Sequence, residues 1–319
     1  MKKYATLKDV AKRAGTSAAT VSYVLNEKEG RYISDETRQK VLDAAKELDY
    51  VKSIGASSLK GKSRKLIAIL IPQFENQFFT RIIVASERIF VKHGYDDAGK
   101  ELVFELGSEN TTLIRRVGMK MVVVDRPLDG VENFFWVSTN NYGCGYMGAN
   151  HLFANGHKKI GYVGWRSGIK DLDARRQAIL DAADEHRIDA DQIHIAEGEF
   201  SQEAGYDLTA RLLDEHPDIT AIFYGFNVQA LGGVRCLTER GIAIPTDLSV
   251  VIIGSPEWVS AGQNDFTYVD MNDLELGKKA ANLLLAQIQD KDIPYQHIIQ
   301  DCTLKAGSSV RNISQEEKQ

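Results

Sequence analysis

Thr6-Leu7-Lys8-Asp9-Val10-Ala11-Lys12-Arg13-Ala14-Gly15-Thr16-Ser17-Ala18-Ala19-Thr20-Val21-Ser22-Tyr23-Val24-Leu25-Asn26 is the stretch whose reading decides the fold of the head of the chain. Thr6 with Asp9 three positions on is a variant of the capping box that opens helices. Leu7, Val10, Ala11 and Ala14 then keep helical spacing, and Gly15 stands where a residue of positive φ closes a helix. Ser17 is a second N-cap, so residues 18–25 form another short helix. Two short helices joined by a glycine-containing turn of about three or four residues make a helix-turn-helix. A third helix opens at Ser34-Asp35-Glu36-Thr37, and Val41, Leu42, Ala45 and Leu48 continue its 3.6-residue period.

Charge separates this head from the remainder of the chain. Residues 1–65 carry 15 Lys+Arg against 8 Asp+Glu, whereas the remaining 254 residues carry 24 against 36. A basic head on an acidic body suits a module that binds a polyanion. A helical hairpin with no such role is the plainer alternative. The hydroxyl-rich second helix (Ser17, Thr20, Ser22) favours DNA. The whole chain, 319 residues at 43% hydrophobic and 26% charged, has the profile of a soluble globular protein. No apolar run approaches the ~20 residues of a membrane span, and Met1–Thr6 lacks the apolar core of a secretory leader. The expected location is the cytoplasm. Cys144, Cys236 and Cys302 are odd in number and form no CxxC pair, so neither a disulfide scaffold nor a zinc ribbon is expected.

The matched run Thr6–Ala11, Gly15-Thr16-Ser17 and Thr20–Asn26, continued by Thr37–Val41 and Ala45–Tyr50, resembles the head of the LacI/GalR family of bacterial repressors, and the likeness extends more loosely over nearly the whole chain. The resemblance implies a small all-α helix-turn-helix head (residues 1–50), a hinge segment (51–65), and an α/β core like a periplasmic binding protein, made of two parallel-sheet subdomains (66–310), followed by a tail (311–319). It implies DNA contacts by Thr6, Ser17, Ala18, Ala19, Thr20, Ser22, Tyr23, Asn26 and Tyr50. In the hinge, Leu59 matches the leucine that wedges into the minor groove, with Ala56 one turn earlier. Lys52-Ser53 departs from the family's usual Pro-Asn near the start of this segment.

The residues of the body support that architecture on their own. Leu66–Ile71, Met121–Val124, Phe134–Val137, Ile160–Val163, Ala221–Phe223 and Val250–Ile253 are short apolar runs suited to a parallel sheet covered on both faces. Helical stretches alternate with them at 78–93, 142–155, 174–186, 202–215, 228–240 and 274–288, the pattern of an α/β fold. By the family analogy the first subdomain takes about 66–157 and 270–292, and the second about 158–269 and 293–310. Between Gly94 and Met121 the chain is short of the two strands and two helices the family places there. Either the first subdomain is truncated or part of it is missing from the sequence.

Gly143-Cys144-Gly145-Tyr146-Met147-Gly148 matches the dinucleotide fingerprint G-x-G-x-x-G, but the expected ribose-binding acid about 20 residues on is lacking. Small residues for close helix packing explain the glycines better. The histidines include no HExxH, and no nucleophile elbow, phosphate loop or metal spacing appears. No enzyme activity and no cofactor are expected.

For the cleft between subdomains, the resemblance points to Phe78 and Phe79 after the first strand, Arg175 as a grip on ligand hydroxyls, and Phe200 as an aromatic wall. Acids the family uses are replaced at Asn140 and at Phe226-Asn227, and Trp165 lies nearby. A neutral, aromatic-stacked ligand is implied, of sugar or related type. The resulting expectation is a repressor, a homodimer or tetramer, that binds operator DNA under a small-molecule effector. The alternative is control by a partner protein. A transport protein or enzyme is a third class, against which the DNA-binding head speaks.

Overall fold

The computed structural model describes residues 7–25, 33–48, 68–71, 76–95, 102–105, 120–125, 134–166, 168, 170–256, 265–289 and 293–314. The chain divides into two compact units, Met1–Lys65 and Leu66–Gln319.

In the first unit, α1 (Leu7–Arg13), α2 (Ala18–Leu25) and α3 (Asp35–Glu47) enclose a small core. Val10, Val21 and Val41, one from each helix, are fully buried at its centre. Gly15 has φ +64°, as its place in the turn demands. Ser34 caps α3 by accepting the Thr37 N–H. An exposed Arg13–Glu47 pair joins α1 to α3; so solvated a contact adds little to stability.

In the second unit, a parallel pair forms between β1 (Ala68–Ile71) and β2 (Leu102–Glu105). A second parallel sheet has the order β10-β4-β3, with β3 Val122–Val124, β4 Phe135–Thr139 and β10 His297–Gln300. Over it pack α4 (Gln77–Lys92) and the last helix, α9 (Asp273–Gln289). Phe79 and Ile82 of α4 share a core with Leu276 and Leu283 of α9 and with Val137 of β4.

The larger sheet has six strands in the order β11-β9-β8-β7-β5-β6. These are β5 (Ile160–Trp165), β6 (Ile193–Gly198), β7 (Ala221–Tyr224), β8 (Ser249–Ile253), β9 (Thr267–Asp270) and β11 (Thr303–Lys305). All its pairings are parallel except β11 on β9. Helices α5 (Asn141–Ala154) and α6 (Lys170–Glu185) cover one face, where Leu152 and Ile179 meet Phe223. Helices α7 (Gln202–Glu215) and α8 (Asn227–Glu239) cover the other, where Leu212 and Leu237 meet Ile222 and Ile252. The strands are apolar on both sides because both sides are covered.

Three expectations need correction. Helix α5 packs on α6 and the six-stranded sheet, so the first crossover between subdomains lies at Asn140 rather than near 157. Strand β10 pairs with β4, so residues 297–300 belong to the first subdomain, and the last crossover lies at 301–302 rather than near 292. The middle crossover lies at 271–272. The third correction concerns the cysteines: Cys144 and Cys302 form a disulfide. Spacing along the chain could not show this, because the two meet only where separate crossovers run side by side. Of the short stretch between Gly94 and Met121, residues 96–101 and 106–119 lie outside the described residues. Among the described residues no helix is long and apolar enough to cross a membrane.

Candidate functional site

Two sites emerge, one in each unit. In the head, the Ser17 hydroxyl accepts the Thr20 N–H at 3.1 Å and lies 2.9 Å from the Thr20 hydroxyl, which fixes the start of α2. Ala19 is exposed, and Thr20, Ser22 and Tyr23 are half-buried. Ala18 is half-buried against the core of the head, so it has less freedom to face outward than its place at the helix start suggests. Thr6, Asn26, Tyr50, Ala56 and Leu59 lie outside the described residues.

In the second unit a narrow cleft opens at the carboxyl ends of the strands, the usual location of ligands in open α/β sheets. Its walls come from both subdomains. Asn76, Phe78, Phe79 and Asp125 belong to the first, Leu172, Arg175, Phe200, Phe226, Asn227 and Ile253 to the second, and Met271 stands at the middle crossover. Six of the eight residues named from sequence therefore line it.

Trp165 and Asn140 do not line it. Trp165 backs the aromatic wall, with its ring 5.3 Å from Phe200 and 6.0 Å from Phe226. Asn140 is a hinge residue. Its side-chain oxygen accepts the Gly143 N–H at 2.8 Å to cap α5, and its amide donates to Asp301 across the crossovers at 3.1 Å. The family acid at this position is replaced by a residue whose hydrogen bonds are spent on chain geometry.

Arg175 is 2% exposed, so a positive charge is held at the cleft floor. Its Nε donates to Asn141 Oδ1 at 2.8 Å, one terminal nitrogen donates to the Gly225 carbonyl at 2.7 Å, and the other lies 3.3 Å from Met271 Sδ. The guanidinium also stands over the Phe226 ring, 4.6 Å from its centroid. A fixed planar fork of this kind suits Arg and no other side chain. The glycine motif explains how α6 comes close enough to deliver it. Gly145 packs against the Arg175 backbone, and Gly148 packs against the Phe223 ring, with no room for a Cβ at either. The dinucleotide fingerprint is thus a packing device.

Sequence reasoning missed Asp125 and Gln229. Asp125 is 6% exposed and has φ 70°, a left-handed conformation that Asp tolerates better than most residues. Its position at the end of an apolar strand run was the available signal. A carboxylate is therefore present in the cleft, at a position other than those where the family's acids are replaced. Gln229 is fully buried, and its amide donates to the Gly164 and Glu199 carbonyls at 2.8 and 3.0 Å. It ties together the loops that carry Trp165, Phe200 and Phe226.

Comparison with known proteins finds a match for each of the two units. Residues 6–53 match the model for bacterial regulatory proteins of the lacI family, and residues 149–310 match the periplasmic binding protein-like domain. The HTH-type transcriptional repressor PurR of Mannheimia succiniciproducens is 30% identical over 97% of this chain and 100% of its own length. Among solved structures, the lac repressor dimer bound to operator and the anti-inducer ONPF has a TM-score of 0.67 at 22% identity, covering 97% of this chain and 100% of that one. A LacI family regulator from Enterococcus faecium with bound ribose has a TM-score of 0.69 at 23% identity, covering 77% of this chain and 99% of that one. At these identities the structures show a shared fold.

Proposed function

We infer the function from one premise: the chain belongs to the LacI family of bacterial regulatory proteins. It is a DNA-binding transcriptional repressor controlled by a small-molecule effector, and it is not an enzyme. The observation that carries the effector half of this reading is the cleft itself, with walls from two subdomains and Met271 at the crossover between them. A ligand touching both walls favours their approach, and whatever it gains in the closed arrangement is the energy available to shift DNA affinity. Because a cleft of this kind is built and charged, the controlling agent is a small molecule rather than a partner protein.

At finer grain, the protein works as a homodimer on a pseudo-palindromic operator in the cytoplasm. Ala19 and Tyr23 face base edges from the recognition helix α2. Ser17, Thr20, Ser22, Thr6, Asn26 and Tyr50 hold phosphates and set register. Leu59, with Ala56, enters the central minor-groove step. Phe200 and Phe226, backed by Trp165, offer a face for stacking, while Arg175, Asp125 and Asn227 supply both charge signs and an amide. Such a wall suits a ring-shaped neutral ligand with several polar substituents, a sugar or a nucleoside.

The test is selection of DNA from a random library by the full chain, followed by binding to the selected site with ribose, cellobiose and a set of nucleosides in turn. The expected result is a pseudo-palindromic site whose affinity shifts with at least one compound by roughly 5–150-fold. No enriched site, or a site that none of these compounds affects, overturns the reading.

A further inference from the structure

Cys144 and Cys302 are 158 residues apart in sequence, yet their Cα atoms lie 5.9 Å apart and their sulfurs are bonded. Each belongs to a different crossover. Cys144 is in the first turn of α5, just after the chain leaves the first subdomain at Asn140. Cys302 lies between β10, in the sheet of the first subdomain, and β11, in the six-stranded sheet. The bond therefore fastens together two of the three crossovers on which the cleft must pivot.

Hydrogen bonds draw the same segments together and bring in the third crossover. The Asn140 N–H donates to the Gln300 carbonyl at 2.8 Å, and its side chain donates to Asp301. Asn272, at the middle crossover, donates from its amide to the Asp301 carbonyl at 2.8 Å. The two sulfurs thus sit in a hinge whose backbone is already positioned for the bond.

We propose that Cys144 and Cys302 are a redox-controlled clasp on the hinge: a dithiol that lets the subdomains pivot, and a disulfide that restrains them. Cytosolic thiols are kept reduced, and cytosolic disulfides that do form are mostly transient or redox-sensing. The co-reactant is a low-molecular-weight disulfide of the glutathione type. Cys302 is 7% exposed and Cys144 fully buried, so Cys302 reacts first. Its thiolate attacks one sulfur of the small disulfide, forming a mixed disulfide and expelling one thiolate. The Cys144 thiolate then attacks the Cys302 sulfur and expels the second. Two electrons pass from the protein to the small disulfide, and the two cysteine protons end on the two released thiols. Cys236, buried and free, has no such partner. The clasp holds whichever operator or effector the chain takes.

The test uses the full chain equilibrated in glutathione buffers of graded redox ratio, then trapped with iodoacetamide and digested. Oxidising buffers should yield a linked Cys144–Cys302 peptide pair with Cys236 still a thiol, and reducing buffers three alkylated cysteines. Amide exchange in residues 140–145 and 300–304 should slow about tenfold on oxidation, since closing the clasp suppresses local opening. Cys302→Ser, and separately Cys302→Ala, should exchange like the reduced parent in every buffer. The wild-type titration stands without either variant. Absence of the linked pair at every ratio, or a linked pair with unchanged hinge exchange, overturns the proposal.

Discussion

The backbone carbonyl of Arg175 packs directly on the Cα of Gly145, so closely that a side chain at 145 would overlap the oxygen. The contact joins a packing feature of α5 to the cation at the floor of the cleft, because the helix backbone that touches Gly145 is the one that carries the guanidinium. Changing the first must move the second.

Gly145→Ala should therefore destabilise the core by about 1–3 kcal/mol, the usual cost of forcing extra volume into a packed site. Ala recovers about 1 kcal/mol of this over Gly through helix propensity, so the net loss is up to about 2 kcal/mol. Urea unfolding should show a lower midpoint with an unchanged slope. The ligand response should weaken in parallel, since α6 has to back away. A variant as stable as the parent would mean that α5 and α6 adjust freely and that Gly145 does not set the position of Arg175.

Arg175→Ala tests the guanidinium itself. On the family analogy alone, this change removes the effector response and spares the fold. The structure gives a different expectation, because Asn141 Oδ1 and the Gly225 carbonyl each lose a charged donor. Hydrogen bonds to charged groups are worth about 1.5–3 kcal/mol, so a loss of stability of that order should accompany the lost response. Arg175→Lys keeps the charge but cannot reach both acceptors with one fork, and it should recover only part of the stability. Urea unfolding of both variants, alongside the shift in operator affinity caused by the active compound of the panel, checks this. Full stability in Arg175→Ala would show that water replaces the guanidinium at no cost.

What was legible in the sequence, and what was not, divides along physical lines. The three helices of the head could be read because Ser17, Gly15 and Ser34 are local signals that act within a turn of where they stand. Strands β5, β7 and β8 are continuous apolar runs because both faces of the sheet are covered. Strand β6 could not be found that way. It is an edge strand, with Ile193 buried and Ile195 exposed, and its apolar content is diluted by His194 and Glu197. Strand β10, with exposed Ile299, hides for the same reason. In the cleft, aromatic residues could be placed by their position after strands. Asp125 carried the same signal, directly after the Val122–Val124 strand, but Asn140 could not be placed, since its duty is set by crossovers that no local pattern encodes.

The recognition helix yields a prediction about specificity. Alanine cannot hydrogen-bond a base edge, so the base pair facing Ala19 should tolerate substitution, at the low end of the roughly 1–3 kcal/mol typical per mismatch. Discrimination should concentrate opposite Tyr23. Tyr23→Ala should flatten preference at that base pair while leaving affinity for non-specific DNA, which phosphate contacts carry, nearly unchanged. A binding series over all single substitutions of the selected operator measures both. Steep losses opposite Ala19 with a flat response opposite Tyr23 would reverse the assignment.

Acid stability should turn on His157. The ring is fully buried, and burial pushes its pKa down from 6.5 to about 4, against a smaller opposing effect from the Arg311 carbonyl. That carbonyl, 3.1 Å from Nε2, can only accept, so Nε2 carries the proton of the neutral ring and Nδ1 accepts the Thr220 hydroxyl at 2.9 Å. The ring thereby joins the end of α5 to the segment around Arg311 and to the start of β7. Between pH 6.5 and about 4 the unfolded chain binds a proton at this histidine that the folded chain refuses. Stability from this group is therefore complete above pH 6.5 and is lost as pH falls toward 4, by about 3 kcal/mol from the full shift at 1.36 kcal/mol per pKa unit. Below that, both states are protonated and the slope vanishes. His151 and His194 are also shifted down by burial and tilt the curve the same way, whereas Asp273, shifted up by burial, tilts its own acid range the other way. His157→Gln isolates the effect, because its amide can still donate to the Arg311 carbonyl but does not titrate. Urea midpoints of parent and variant, taken at closely spaced pH values, should run parallel above pH 7 and diverge steadily below it, with the parent falling faster. Parallel curves down to pH 4 would place the acid sensitivity elsewhere in the core.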